Sequence, residues 1–338
     1  MGRQVVTSYF RQADSDRECH RILNIIEIVQ DSPMDPLSDV LSLLETRSSY
    51  FTGLRAGGDW AVDIPPPDGI KFNAVVDGSC WLTVDGAGPP TRLEAGDCFL
   101  LAAPRRFVLA SDLAVPPVAA IDVYHEMEDG IARYGAPENC FLVGGRFTFK
   151  DNMQLLFGSL PPVVIVSGCS EPAAVLRWAL QRLAQEIDAT SLGASLMVRH
   201  LAHMMLVQML RVHAETNTHG ETGWLTALAD SRIATGITAI HADPARRWTV
   251  EDLAARCHVS RSTFAARFRQ RMGFGPLEYV QRWRMQLAMR ALRKSDVTVS
   301  AVAQSLGYDS DSAFSHAFKR LVGYSPREFR ASTKTSSG

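Results

Sequence analysis

The chain has 338 residues, 46% apolar and 21% charged, the balance of an ordinary globular protein long enough for two domains with separate cores. No run approaches the ~20 apolar residues of a membrane span, and no charged start leads into an apolar stretch of signal-peptide type, which predicts a cytoplasmic protein with no membrane partner. The net charge of −1 hides a division: from Arg232 onward 18 Lys and Arg stand against 8 Asp and Glu, and before it 17 against 28, so only the C-terminal part suits a polyanion.

The first 34 residues offer one candidate strand, Ile22 to Val29. Asp35 to Glu45 carries apolar residues at Leu37, Val40, Leu41 and Leu44 behind an Asp35-Pro36 start, which predicts a short amphipathic helix. From Tyr50 to about Val166 the pattern changes to short strands punctuated by Gly and Pro. Trp60 to Ile64, Lys71 to Val76, Ser79 to Val84, Cys98 to Leu101, Phe107 to Ala110, Val118 to His125, Asn139 to Val143 and Val163 to Val166 are the candidates. Strands this short, with turn signals and no intervening helices, predict a small barrel or jelly roll.

Within that region, Leu93-Glu-Ala-Gly-Asp-Cys-Phe-Leu-Leu-Ala-Ala-Pro104 resembles the second conserved motif of cupin barrels, whose Gly-Asp turn feeds a central strand ending in Pro. Many cupins are metal-dependent enzymes that draw ligands from a His-x-His and Glu in the first motif and a His after the Pro of the second. The corresponding stretches here, Lys71-Phe-Asn-Ala-Val-Val-Asp-Gly and Pro104-Arg-Arg-Phe-Val-Leu, contain no His, and His125 cannot build a ligand triad alone. An enzyme with the basic C-terminal part appended is therefore the weaker alternative to a domain that binds an unknown small-molecule effector without converting it. No cofactor or metal is expected.

Six cysteines, Cys19, Cys80, Cys98, Cys140, Cys169 and Cys257, form no C-x-x-C pair and read first as small buried hydrophobes. A redox-responsive regulator is the narrower alternative, with Cys80 and Cys98 on strands that adjoin in the cupin arrangement. His200 and His203 share a helix face but lack a Cys or acidic partner, so they read as core-edge or solvated residues.

Residues 171 to 215 read as helical. The segment after Ser191 is apolar around most of its circumference, and that excess predicts a homodimer contact through Leu201, Met204, Met205 and Leu210; burial within one chain is the competing account. Glu215 to Glu221 reads as a polar linker.

The C-terminal region contains one pattern twice. Thr249 to Pro276 and Thr298 to Pro326 share Thr-Val, an apolar/Ala pair, a turn, and then Ser-x-x-x-Phe-x-x-x-Phe-x-x-x-x-Gly-x-x-Pro. The offset is 49 residues before the turn and 50 after it, which places an inserted residue at Asp309. Each copy reads as helix, turn, helix, with Thr249, Ser260, Thr298 and Ser310 as N-caps and candidate phosphate contacts.

With Phe264, Phe268, Phe314 and Phe318 toward the core, the opposite face of one second helix is Ser262, Thr263, Ala266, Arg269 and Gln270, with Arg261 at the helix start as a further candidate. On the other it is Ser312, Ala313, His316, Lys319 and Arg320, with Asp311 at the start. These residues are the candidates for contacting double-stranded DNA. A single such face would pass as ordinary solvated surface; two in tandem, joined by a basic helix, would not. Asp309 and Asp311 read as cap support for the second helix.

The joining helix, about Leu277 to Leu292, carries Arg282 and Arg284 as further phosphate candidates, with Arg290 and Arg293 beyond them. At roughly 24 Å it can hold two reading helices about one DNA turn apart.

Arg284, Ala288, Leu292, Val299, Ala303, Gly307-Tyr308-Asp309-Ser310, Ser312, Phe314, Phe318, Gly323-Tyr324-Ser325-Pro326 and Arg330 together resemble the signature of the AraC/XylS transcription regulators. The resemblance covers about Arg232 to Ser332. It implies a seven-helix domain with two helix-turn-helix units, a cupin-type sensor in front of it, and RNA polymerase as a partner when the protein acts as an activator. Ala266 departs from the pattern, since the family often has a longer base-contacting side chain there.

The expected fold is an α+β multidomain chain: a cupin-like β-barrel sensor over residues 1–166, a helical dimerisation and linker segment over 167–222, and an all-α DNA-binding domain over 223–338. The helix-turn-helix units fall at 249–272 and 298–322.

Overall fold

The computed structural model describes residues 35–43, 46–149, 157–188, 191–216, 222–293 and 297–335. The candidate strand at Ile22 to Val29 and most of the linker at 215–221 lie outside them. Helix α1 (Pro36–Leu43) opens the described chain, capped by Asp35, whose carboxylate accepts from the Leu37 and Ser38 N–H groups at 3.1 Å each.

Eleven strands follow among the described residues: β1 (Thr46–Gly57), β2 (Ala61–Ile64), β3 (Ile70–Asp77), β4 (Ser79–Val84), β5 (Thr91–Glu94), β6 (Cys98–Leu101), β7 (Phe107–Ala110), β8 (Val118–Ala119), β9 (Ile131–Tyr134), β10 (Glu138–Phe149) and β11 (Val164–Val166). They form a six-stranded sheet in the order β11-β6-β3-β10-β1-β9 and a five-stranded sheet in the order β5-β4-β7-β2-β8. No strand belongs to both, so the cupin-like domain is two facing sheets rather than one closed barrel.

Strand alternation decides which way each residue points. On β3, Phe72 and Ala74 face a helical layer while Val75 enters the core between the sheets, beside Leu54, Leu82, Phe99, Phe107 and Leu142. The Gly96-Asp97 turn joins β5 to β6, with Gly96 at φ +94°. Asp97 is buried; its carboxylate accepts from the Glu94 N–H at 2.9 Å and from the Gly168 N–H at 2.8 Å, tying the sheet to the helices beyond.

The segment Val118 to His125 is not one strand. Only Val118 and Ala119 pair with β2, and Ala120–Tyr124 turns into a helix, α2, that buries Val123. β1, β5 and β9 have no counterpart among the expected strands.

Helices α3 (Ala174–Asp188) and α4 (Ala194–Thr216) cover the outer face of the six-stranded sheet. The expected dimer residues are corrected here. Leu201, Met205 and Leu210 are 5%, 0% and 0% exposed, and Met204 is packed against the same core. The apolar excess of α4 is used inside the chain, against the sheet on one side and α3 and α5 on others.

The C-terminal region is helical: α5 (Trp224–Ala229), α6 (Ser231–Ala242), α7 (Val250–Arg256), α8 (Arg261–Met272), α9 (Pro276–Arg293), α10 (Val299–Ser305), α11 (Asp311–Val322) and α12 (Pro326–Thr335). One continuous core runs from the six-stranded sheet through α1, α3 and α4 into Ile233, Phe264, Phe268 and Tyr279. A second, separate core holds Met285, Leu292, Val302, Phe314 and Phe318.

Where α1 meets the C-terminal region, buried polar groups satisfy one another. His241 Nδ1 lies 2.9 Å from Asp39 Oδ2 and Nε2 lies 2.7 Å from Tyr279 Oη, which also accepts from Trp224 Nε1 at 2.8 Å. The imidazole stacks on Trp283 at 3.7 Å. Burial holds the His241 pKa below the usual 6.5, against the opposing pull of the Asp39 carboxylate. The unfolded chain therefore takes up this proton at higher pH than the fold does, and stability falls as pH drops below 6.5. Thermal melts at about pH 7.5 and about pH 5.5 are expected to show a larger drop for the wild type than for His241→Phe, which keeps the stack and loses the proton.

Candidate nucleic-acid interface

The two helix-turn-helix units are α7 with α8 and α10 with α11. Their boundaries are set by local chemistry that repeats. Thr249 makes a capping box with Asp252, and Ser260, Thr298 and Ser310 accept from the Thr263, Ala301 and Ala313 N–H groups. α8 and α11 both stop at a left-handed glycine, Gly273 (φ 87°) and Gly323 (φ 93°). The turns match too: His258 (φ 53°) and Gly307 (φ 75°) take the left-handed position.

Phe264 and Phe268 lie 5.6 Å apart, Phe314 and Phe318 5.7 Å apart, and all four are buried. The two twelve-residue helices carry the same burial pattern over their first eleven positions. Arg261, Ser262, Thr263, Ala266 and Arg269 are exposed on α8, and Asp311, Ser312, His316, Lys319 and Arg320 on α11.

Several of these groups already have protein partners. Arg261 pairs with Glu251 at 2.7 Å, and Arg320 donates to Gln281 at 2.8 Å. Among the described residues no carboxylate lies within ion-pair distance of Arg269 or Lys319. Asp311 occupies the first turn of α11, where a carboxylate opposes the helix dipole. Asp309 instead pairs with the exposed Arg247, joining the second turn to the loop before α7.

The phosphate candidates divide. Thr249 accepts from the Asp252 N–H and donates to the Asp252 carboxylate at 2.8 Å, so its hydroxyl has no proton left for a phosphate. The other three hydroxyls are cap acceptors. Arg282 pairs with Glu278 at 2.8 Å and stays near the surface.

Arg284 is half-buried and points into the protein: its guanidinium donates to the Pro244, Ala245 and Arg246 carbonyls at 2.6, 3.2 and 2.9 Å and lies over the Tyr308 ring. Burial lowers its pKa, and its guanidinium is already committed to three backbone carbonyls. Sequence reasoning missed this because an arginine on a basic helix looks the same whether it points out or in.

Arg284 fixes how the two units sit relative to each other. α9 contributes Tyr279, Val280 and Trp283 to the first core and Met285, Ala288 and Leu292 to the second. At the crossover Arg284 binds the loop before α7, and a side chain at Gly307 would lie 2.0 Å from the Ala245 carbonyl. The two reading helices are thereby set on one rigid frame.

The redox pairing is also corrected. Cys80 lies in the core between the sheets and Cys98 in the core beneath the helices. Cys80 instead shares its core with Cys140, and both are buried. His125 is exposed, and among the described residues no cluster of His, Cys, Asp and Glu is placed to hold a metal. No described helix is long and apolar enough to cross a membrane.

Two tandem helix-turn-helix units with polar, cationic outer faces, attached to a two-sheet domain, define a DNA-binding transcription regulator with an N-terminal ligand-binding domain. A cupin family profile matches residues 35–215, and a helix-turn-helix domain profile matches residues 253–332. A putative AraC-like transcription regulator of Streptomyces lividans is 49% identical over 298 residues, covering 88% of this chain and 98% of that protein. Its namesake in Streptomyces antibioticus is 47% identical over the same shares. The crystal structure of the DNA-binding domain of AdpA with a target DNA is 35% identical, covering 30% of this chain and 93% of that one, with a TM-score of 0.29. The chain belongs to the AraC-like transcription regulators.

Arg284→Ala is expected to lower the melting temperature, since about 1.5–3 kcal/mol attends hydrogen bonds from a charged donor, and to weaken DNA binding by the full chain. Arg284→Lys should fail to restore either property, because an ammonium cannot span three carbonyls as the planar fork does. Recovery of affinity in the lysine variant would instead mark a phosphate contact.

Proposed function

We propose that this protein is a sequence-specific, effector-responsive regulator in which the two reading helices divide the work. The observation that carries it is the matching exposure of α8 and α11 on a shared frame, with different chemistry at the central position. His316 offers ring nitrogens to base edges, whereas Ala266 offers only an apolar contact such as one with a thymine methyl. Arg269 and Lys319, one turn further on, suit phosphates, as do the exposed Arg261 and Arg320 once DNA competes with their present partners. Ser262, Thr263 and Ser312 complete the polar faces, and Ser260, Thr298, Ser310 and Arg282 remain candidate phosphate contacts at the rim.

The same proposal includes a homodimer, with the contact moved from the buried side of α4 to the outer side of α3 and α4. Val175 and Trp178 on α3 and Leu196 and Met197 on α4 are exposed apolar side chains, which water solvates poorly. It also includes action in the cytoplasm, contact with RNA polymerase during activation, and no catalysis; the relatives reported above are regulators, which supports that last point.

His316→Ala is expected to cost about 1–3 kcal/mol on the preferred site and to relax base preference at one or two pairs. Lys319→Ala should weaken all sequences alike and flatten the salt dependence. Selection from randomised duplexes with the full chain checks both, and an unchanged base preference for His316→Ala would overturn the division of labour. Trp178→Glu is expected to shift the protein to monomer in sedimentation velocity without loss of helix content.

A further inference from the structure

Between the two sheets, at the end beside α2, lies a cavity of about 610 Å³, within the range of small-molecule sites. One wall is apolar, with Ile64, Phe107, Leu109, Tyr124 and Met127. The floor is not. Lys71 and Asn73 on β3 face it, and Lys71 stands directly opposite Arg146 on β10, while Asn73 stands opposite Gly144. The floor therefore sets two like charges on facing positions of neighbouring antiparallel strands, an arrangement that repels. Among the described residues no carboxylate lies within ion-pair distance of either; the acidic group in the lining, Asp68, sits on the exposed loop at the rim.

Two more observations point into the same space. Asn73 is 5% exposed, yet its amide nitrogen has no hydrogen-bond partner. A buried donor left unpaired costs the fold free energy unless something else fills its place. Gly144 leaves the floor open: a Cβ there would lie 2.2 Å from Asn73 Oδ1 and 3.3 Å from Lys71 Nζ.

We propose that this cavity is the effector site and that it takes an amphipathic carboxylate, its head group held by Lys71, Asn73 and Arg146 and its apolar body against Phe107, Leu109 and Tyr124. The proposal rests on the N-terminal domain being ligand-binding. A carboxylate supplies the missing counter-charge and accepts from both the ammonium and the orphaned amide, which a neutral ligand cannot do. Burial, with repulsion from Arg146 second, lowers the Lys71 pKa to about 8. The free site loses its proton above that value, so affinity for the anion is expected to fall as pH rises through it. Tyr124, whose pKa burial pushes up to about 12, stays neutral there; the other charged groups lining the cavity are Arg146 and Asp68.

The test is calorimetric titration of the full chain with phenylbutyrate and with its neutral counterpart phenylbutanol. Phenylbutyrate should bind at least about tenfold more tightly than the alcohol. Lys71→Met should erase that preference, leave the alcohol unaffected, and melt no lower than the wild type, since it removes an unpaired buried charge. Arg146→Met is the second variant should Lys71→Met not fold, and it should also narrow the preference. Equal binding of acid and alcohol, unchanged acid affinity in the folded variants, or no binding of phenylbutyrate at concentrations on the order of 1 mM would each overturn the proposal. DNA affinity, measured on the same preparations, separates the outcomes: intact DNA binding beside failed acid binding removes this site alone, and absent DNA binding removes the regulatory function on which it rests.

Discussion

Two folded units that must touch one duplex together need a fixed separation, and a single helix supplies it. α9 is shared between cores, its first half packed under α8 and its second under α11, with Arg284 at the handover. Had the units been joined by a loose tether, each binding event would pay to restrict the other unit. A helix inserted into both cores has met that cost during folding.

The frame is not symmetric toward the rest of the molecule. The first unit belongs to the core that reaches the sheet through α1, α3 and α4, and its contact with α1 passes through the buried Asp39, His241 and Tyr279 cluster. The second unit has a core of its own. The N-terminal domain is thus packed onto the first unit through a shared core, and α9 links the second unit to it. A regulator built this way can change the fit of two helices to DNA without changing either one.

How much of this could be read in advance depends on whether the signal is local. The caps, the paired phenylalanines and the terminal glycines act within a few residues, so both helix-turn-helix units, α9, and the bounds of β4, β6 and β7 were legible from spacing. β1 was not, because glycines at 53 and 57 and an arginine at 55 break the alternation that marks a strand. Val118 to His125 looks β-prone, yet only two residues find a partner strand. The direction of Leu201, Met205 and Leu210, of Arg284, and of Lys71 is tertiary information. Burial against a distant element decides each, and periodicity cannot say which element that will be. Lys71 did carry a trace, a charge between Ile70 and Phe72, though it stood out only once β10 set Arg146 beside it.

The small helix α2 has a kinetic meaning. At five residues it is far below the length at which a helix persists by itself, its N-cap residue Ala119 makes no side-chain bond, and Val123 is its one buried residue. The sheets beside it are knit by continuous ladders. The cavity already opens to solvent beside this helix, where Ile121 is exposed, so widening its mouth costs one frayed turn and no paired strand. Occupancy can then follow a changing concentration outside without the sandwich coming apart.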